Sequence, residues 1–169
     1  RGMLRPLLSQ NSSVNLIFEE PTDIPDIFSD EAKISQILRN FISNALKFTE
    51  RGEVRVRAML GHDETVVFSV ADTGIGIAPS DQERIFEEWA QVEGRLQKTV
   101  KGTGLGLPLS KKFAQLLGGD VYVKSDVGNG ATFFAAIPIN FTGQTEVIYV
   151  PDARRELDSH KLPVLIVED

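Results

Sequence analysis

The chain has no cysteine, which removes disulfides and thiolate metal sites from consideration and fits a reducing compartment. Histidine is scarce, with only His62 and His160. No apolar run approaches the length of a membrane span, and no signal peptide is visible. Basic residues are the minority: 18 Lys and Arg against 24 Asp and Glu give a net charge of −6 and a pI near 5.0. That balance argues against a general nucleic-acid or polybasic membrane surface. An acidic protein that binds a polyanion must do so locally, with backbone N–H groups, a metal ion and a few lysines. Two phosphate-binding signatures are also missing. There is no Gly-x-x-x-x-Gly-Lys-[Ser/Thr]. Gly102-x-Gly104-x-Gly106 has the wrong spacing for a dinucleotide fold and follows a loop instead of a strand.

What remains is an ordinary globular composition, 41% hydrophobic and 25% charged over 169 residues, enough for one good core with a fragment attached. The organising stretch is Ser29–Thr49. Ile34, Ile37, Leu38, Phe41, Ile42, Ala45 and Leu46 recur at a helical period. Ser29 or Asp30 can cap the start, and Asp30 and Glu31 suit the positive first turn. At about 100° per residue, Lys33, Gln36, Asn40, Asn44 and Lys47 form one polar stripe. Asparagine is a poor helix former. Taken alone, the stripe is a polar face with two mediocre residues; taken chemically, it offers amide oxygens beside an ammonium, which suits Mg²⁺ and phosphates.

Along the chain, Val14–Glu20, Glu53–Leu60 and Thr65–Ala71 read as strands, the last two joined by a turn at Gly61-His62-Asp63. His62 is a turn residue. Asp72-Thr73-Gly74-Ile75-Gly76-Ile77 follows, then a short helix capped by Ser80 or Asp81 that runs through Arg84 and Phe86. Ala90–Lys101 is aperiodic, either a surface loop or a mobile lid. Gly102-Thr103-Gly104-Leu105-Gly106-Leu107-Pro108 opens a second helix, with Leu109, Phe113, Leu116 and Leu117 as its apolar face; Pro108 is acceptable only in a first turn. Gly118-Gly119 ends it. Asp120–Lys124 and Ala131–Ile137 close the sheet around a glycine-containing turn. Positions 140–161 read as a linker and 162–169 as a further apolar strand.

The glycine-rich loops carry the chemistry. Alternate glycines let backbone approach a ligand, and a helix opening from such a loop offers free N–H groups to phosphate. Asp72, ending a buried strand, can accept from a purine amino group.

In order, these motifs resemble the ATP-binding catalytic domain of sensor histidine kinases. Asn40-x-x-x-Asn44-Ala45-x-Lys47-Phe48-Thr49 is similar to the family's N box, Asp72-x-Gly74-x-Gly76-Ile77 to its first glycine box, and Arg84-Ile85-Phe86-Glu87 to its phenylalanine box. Gly102-Thr103-Gly104-Leu105-Gly106-Leu107 resembles the second glycine box, and Gly128-x-Gly130-Ala131-Thr132-Phe133 the closing turn and strand. The resemblance covers residues 14 to 138. It implies an α/β fold, a two-layer α/β sandwich of the Bergerat type shared with DNA gyrase and heat-shock chaperone ATPases. Its mixed, mostly antiparallel sheet would be covered on one face by helices.

The resemblance further implies the site. Asn44 would hold Mg²⁺ with Asn40 in support, and Lys47 would contact phosphates; these three would be the catalytic residues. Asp72 would receive the adenine amino group, with Thr132 nearby through water. Gly74, Gly76 and Ile77 would flank the nucleotide. Gly102, Thr103, Gly104, Leu105, Gly106 and Leu107 would wrap the triphosphate, with Lys101 beside them, and Phe86 would anchor the lid. Trp89 and Lys101 depart from the family pattern, and the family's common lid arginine has no firm counterpart, with Arg95 and Lys98 as candidates.

The implied function is a protein-histidine kinase domain that binds ATP and Mg²⁺ and passes the γ-phosphoryl to a His on a separate helical acceptor domain of the same protein, dimeric at full length. Neither His62 nor His160 has an acceptor context. Val164-Leu165-Ile166-Val167-Glu168-Asp169 resembles the first strand of a receiver domain, so a receiver fused C-terminally is expected. The domain plan is 1–13 connector, 14–139 catalytic domain, 140–161 linker and 162–169 the start of a receiver. Nucleic acid and direct membrane contact are not expected, and the location implied is cytoplasmic, with a parent protein that is either free or membrane-anchored. The competing readings are an ATPase or conformational clamp and a nucleotide-sensing module. An ATPase of this fold typically places a Glu base where Asn40 stands, and an amide cannot take a proton from water.

Overall fold

A computed structural model describes residues 13–21, 23–87 and 104–141. A five-stranded sheet carries two helices on one face. Its strands are β1 (Val14–Phe18), β2 (Gly52–Leu60), β3 (Thr65–Asp72), β4 (Asp120–Ser125) and β5 (Ala131–Pro138). The order is β1-β2-β3-β5-β4, antiparallel throughout except that β1 runs parallel to β2. Helix α1 (Glu31–Phe48) connects that parallel pair, and α2 (Gly106–Leu116) leads into β4.

Period-two alternation sets the core. Val54 and Val56 of β2, Val66 and Val70 of β3, Val121 of β4 and Phe133, Ala135 and Ile137 of β5 are buried under the helices. Helix α1 answers with Ile37, Phe41, Ile42 and Ala45, and the Phe41 ring lies 5.3 Å from that of Phe133. Asp30 caps α1: its Oδ1 accepts from Lys33 N at 3.0 Å, and its other oxygen is paired with the Lys33 ammonium. On the open face Glu19 accepts from Arg55 Nη1 at 2.7 Å and pairs with Arg57 Nε at 2.5 Å, tying the end of β1 to β2.

Three details differ from the sequence reading. The β2–β3 turn runs on through Glu64, one residue past the expected Gly61-His62-Asp63, with positive φ at Asp63 and Glu64, and Thr65 N donates to the His62 carbonyl at 3.2 Å. Residues 79–86 form two separate 3₁₀ turns, Pro79–Asp81 and Arg84–Phe86, in place of one capped helix. Helix α2 keeps only half of its expected face, Phe113 and Leu117, against the core. Leu109 and Leu116 are 42% and 51% exposed, whereas Ser110, Ala114 and the following Leu117 are fully buried. Small residues at 110 and 114 admit α1 closely, and that packing outweighs a leucine count.

The packed domain also runs past the expected boundary at 139. Phe28 N donates to Ile139 O at 2.8 Å, Phe141 N donates to Phe28 O at 2.9 Å, and Phe141 packs on the core. Residues 1–12 of the 1–13 connector, the rest of the linker and the 162–169 strand lie outside the described residues.

Candidate nucleotide site

Asp72 is the last residue of β3, beside the first residue of β5. Its Oδ1 accepts from Gly74 N at 2.8 Å and from Ala131 N at 3.3 Å. Burial pushes its carboxyl above the ordinary value, while the two backbone N–H groups pull it back. With both bonds on Oδ1, Oδ2 is the oxygen left to accept from a ligand. This is an acceptor held rigidly at the end of a buried strand.

The loop after Asp72 is locked between two neighbours. On one side Ile75 N donates to Phe48 O, the C-terminal carbonyl of α1, at 3.3 Å. On the other, Gly128 N donates to Ile75 O at 2.8 Å. Contact with the β4–β5 turn is so close that a Cβ on Gly76 would lie 2.0 Å from the Asp126 carbonyl oxygen, and one on Gly130 would lie 1.9 Å from the Asp72 carbonyl oxygen. Both glycines also have positive φ. Sequence reasoning missed two side chains here. Ser125 Oγ accepts from Ile77 N and donates to Gly130 O, at 2.8 and 2.7 Å. Gln82 Nε2 spans Ile77 O and Ser125 O, at 3.2 and 2.8 Å. Neither stands in a glycine motif, and only the fold brings them together.

Across the site run the polar stripe of α1 and the start of α2. Asn44 is half-buried, and among the described residues no group bonds its amide. Lys47, one turn on, has its ammonium 5.0 Å from the centre of the Phe48 ring. Asn40 is engaged: Nδ2 donates to Gly106 O at 3.0 Å and to Ser110 Oγ at 3.1 Å, and Oδ1 accepts from Gln36 at 3.2 Å. Helix α2 begins at Gly106, with no side-chain cap from Leu105, and Pro108 has no N–H. Among the described residues nothing caps its first-turn donors, which can therefore meet an anion.

The structure thus joins Asn40 of α1 to Gly106 at the start of α2, where Gly104, Leu105 and Leu107 also lie; Asn44 and Lys47 follow further along α1, and Asp72, Gly74, Gly76 and Ile77 stand in the loop that bonds to the end of that helix. Phe86 is buried in the core, with the Lys111 ammonium 5.8 Å from its ring centre. Thr132 does not join them. Cross-strand partners share a face, and Thr132 pairs with Ala71 and Lys124 while Ala131 and Phe133 point into the core. Its side chain is on the sheet face opposite Asp72; Ala131, one residue earlier, is the neighbour of that carboxylate. Lys101, Gly102, Thr103 and the lid, with Trp89, Arg95 and Lys98, lie outside the described residues.

An acceptor at a strand end, an open amide on one helix and an uncapped helix start beside it define a nucleotide-binding α/β domain. Residues 29–140 match the family model described as histidine kinase-, DNA gyrase B-, and HSP90-like ATPase, and the chain belongs to that family. It is 38% identical to the autoinducer 2 sensor kinase/phosphatase LuxQ of Vibrio parahaemolyticus, over 99% of this chain and 20% of that protein. It is 34% identical to the aerobic respiration control sensor protein ArcB of Escherichia coli, over 98% of this chain and 21% of that protein. The chain thus spans about a fifth of the length of these relatives. Among solved structures, full-length ShkA in complex with AMPPNP superposes with a TM-score of 0.71 at 34% identity, covering 84% of this chain and 29% of that one. The catalytic domain of the histidine kinase ThkA gives 0.65 at 26%, covering 81% and 87%. This is a histidine-kinase-type ATP-binding catalytic domain, with the expected mixed, mostly antiparallel sheet.

Proposed function

We propose that this domain binds Mg-ATP and presents its γ-phosphoryl group to a histidine on a separate helical domain of the same protein. The observation that carries this reading is the meeting, at one end of the fold, of the Asp72 carboxylate, the unbonded Asn44 amide and the uncapped start of α2. Asp72 Oδ2 would accept from the adenine amino group. The first-turn N–H groups of α2 and the Lys47 ammonium would take the phosphates. Among the described residues no cluster of three or more His, Cys, Asp or Glu could cage a metal. Mg²⁺ uses few protein ligands and keeps waters and phosphate oxygens. Asn44 Oδ1 is the ligand this chain would supply. Mg²⁺, when bound, would neutralise phosphate charge as it redistributes during transfer.

In the transfer, a lone pair on a neutral imidazole nitrogen forms the N–P bond. The bond from the γ-phosphorus to the bridging oxygen breaks, ADP leaves, and the other ring nitrogen sheds its proton. The chain's part is to position and to balance charge. Asn40 cannot serve as a base for water, because its amide is neutral and bonded to α2. A receiver fused C-terminally belongs to the same reading, supported by the relative in Dictyostelium named hybrid signal transduction histidine kinase B.

The test is labelled Mg-ATP. The chain alone should bind nucleotide and acquire no stable label. Adding the helical domain of the parent protein should give acid-labile label on that partner. Label on His62 or His160, or rapid release of phosphate from the chain alone, would reject the assignment.

A further inference from the structure

We propose that Asn40 and Ser110 form a positioning pair that holds the first turn of α2 against α1, and that Asn40 works through this turn instead of as a ligand of the metal; the proposal rests on the nucleotide site described above. The proton inventory determines which way the Asn40 amide points. Ser110 Oγ donates to Gly106 O at 2.9 Å, so its proton is spent and it can only accept from Asn40. Gly106 O, a carbonyl, can only accept as well. The half of the amide that faces α2 is therefore the NH₂ group. Its Oδ1 faces the other way, where the Gln36 amide donates to it at 3.2 Å. Both bonds of the Asn40 NH₂ group are thus spent on holding two helices together, while its oxygen is engaged within α1.

Ser110 is fully buried, which is costly for a hydroxyl unless it is bonded. Both of its bonds lead to this seam. The seam sits where α2 leaves Gly104 and Leu105 and offers its first-turn N–H groups. A shift of α2 by a fraction of an ångström would misalign those donors with phosphate without unfolding anything. Asn44, four residues after Asn40, lacks any such tether among the described residues and stays available to the ion.

The test is a set of nucleotide titrations on the whole chain, with Mg-ATP and with ATP in EDTA, run well below each variant's melting midpoint. Ser110→Ala removes both bonds of the hydroxyl, to Asn40 and to the Gly106 carbonyl, but inserts a better helix former, so the fold should persist. It should weaken ATP about threefold, and Asn40→Ala about tenfold. The double variant should match Asn40→Ala, because the two side chains act through one contact. In all three the ratio of affinities with and without Mg²⁺ should stay within about twofold of the parent's ratio, since no metal ligand has been removed. Asn40→Asp discriminates best. It keeps an oxygen for a metal but puts an acceptor against the Gly106 carbonyl, so binding should fall with and without Mg²⁺. Mg-dependent binding retained or tightened in Asn40→Asp would overturn the proposal, as would unchanged affinity in Ser110→Ala or multiplying losses in the double variant. Failure of the parent chain to bind Mg-ATP would overturn the nucleotide site and this proposal together, whereas a binding parent with unaffected variants would reject this proposal alone.

Discussion

Replacing Asp72 in two ways separates its structural work from its recognition work. Asp72→Ala takes the acceptor away from Gly74 N and Ala131 N, which lie 2.8 and 3.3 Å from Oδ1. A buried donor left without a partner costs about 1–3 kcal/mol. The shorter bond should sit high in that range and the longer one low, for a total near 2–4 kcal/mol. Asp72→Asn keeps an oxygen for both donors, so its stability should fall by less than about 1 kcal/mol. The NH₂ then takes the place of Oδ2 and meets the adenine amino group donor to donor. Losing that bond should weaken ATP by about 1–3 kcal/mol, roughly 5- to 150-fold. GTP, whose O6 is an acceptor, should lose less or gain.

The readouts are urea denaturation for stability and calorimetric titration with ATP and GTP. Equal losses for both nucleotides in Asp72→Asn, or destabilisation as large as in Asp72→Ala, would refute the assignment. Acidity gives an independent check. Burial raises the Asp72 carboxyl above its ordinary 3.8, so the native state holds that proton more tightly than the unfolded state. Its contribution to stability is complete below 3.8 and is lost as pH rises through the raised native value. Asp72→Asn should lack this loss and gain on the parent across that window.

Much of this fold was legible because short-range signals agree. Helix α1 had an unbroken apolar period, a capping Asp30 and a polar stripe, and every residue expected to be buried along it packs on the core. The strands β2 to β5 ended within a residue or so of their expected limits, since alternation and glycine turns are local. What failed depended on neighbours the sequence does not name. The face of α2 is chosen by α1, which needs small Ser110 and Ala114 at the seam, so Leu109 and Leu116 turn outward. Thr132 was misplaced because its parity follows from the register with β3, not from its distance to Gly130. Gln82 and Ser125 bond across some 43 residues of chain, and a polar side chain in a loop looks the same with or without such a partner.

Three further outcomes are expected. Asn44→Ala should abolish the gain in ATP affinity that Mg²⁺ provides while leaving the melting midpoint unchanged; an intact gain in titrations with and without EDTA would remove Asn44 as a ligand. Phe41→Ala, emptying a fully buried site beside Phe133, should cost about 3–5 kcal/mol in urea denaturation. The last compares Gly76→Ala with Gly128→Ala. Both glycines have positive φ, 70° and 84°, so each alanine carries a left-handed backbone cost of about 1–2 kcal/mol. Only Gly76 meets anything else: its Cβ would press on the Asp126 carbonyl at 2.0 Å, whereas nothing lies within 4 Å at Gly128. A backbone oxygen cannot rotate aside, so the Asp72 loop and the β4–β5 turn must separate, adding about 1–3 kcal/mol. Gly76→Ala should therefore be the less stable of the two and should also weaken ATP, while Gly128→Ala binds nearly as the parent does. Equal denaturation midpoints with equal nucleotide affinities would mean that the two loops are not locked together, and that Asp72 is held by its own two bonds alone.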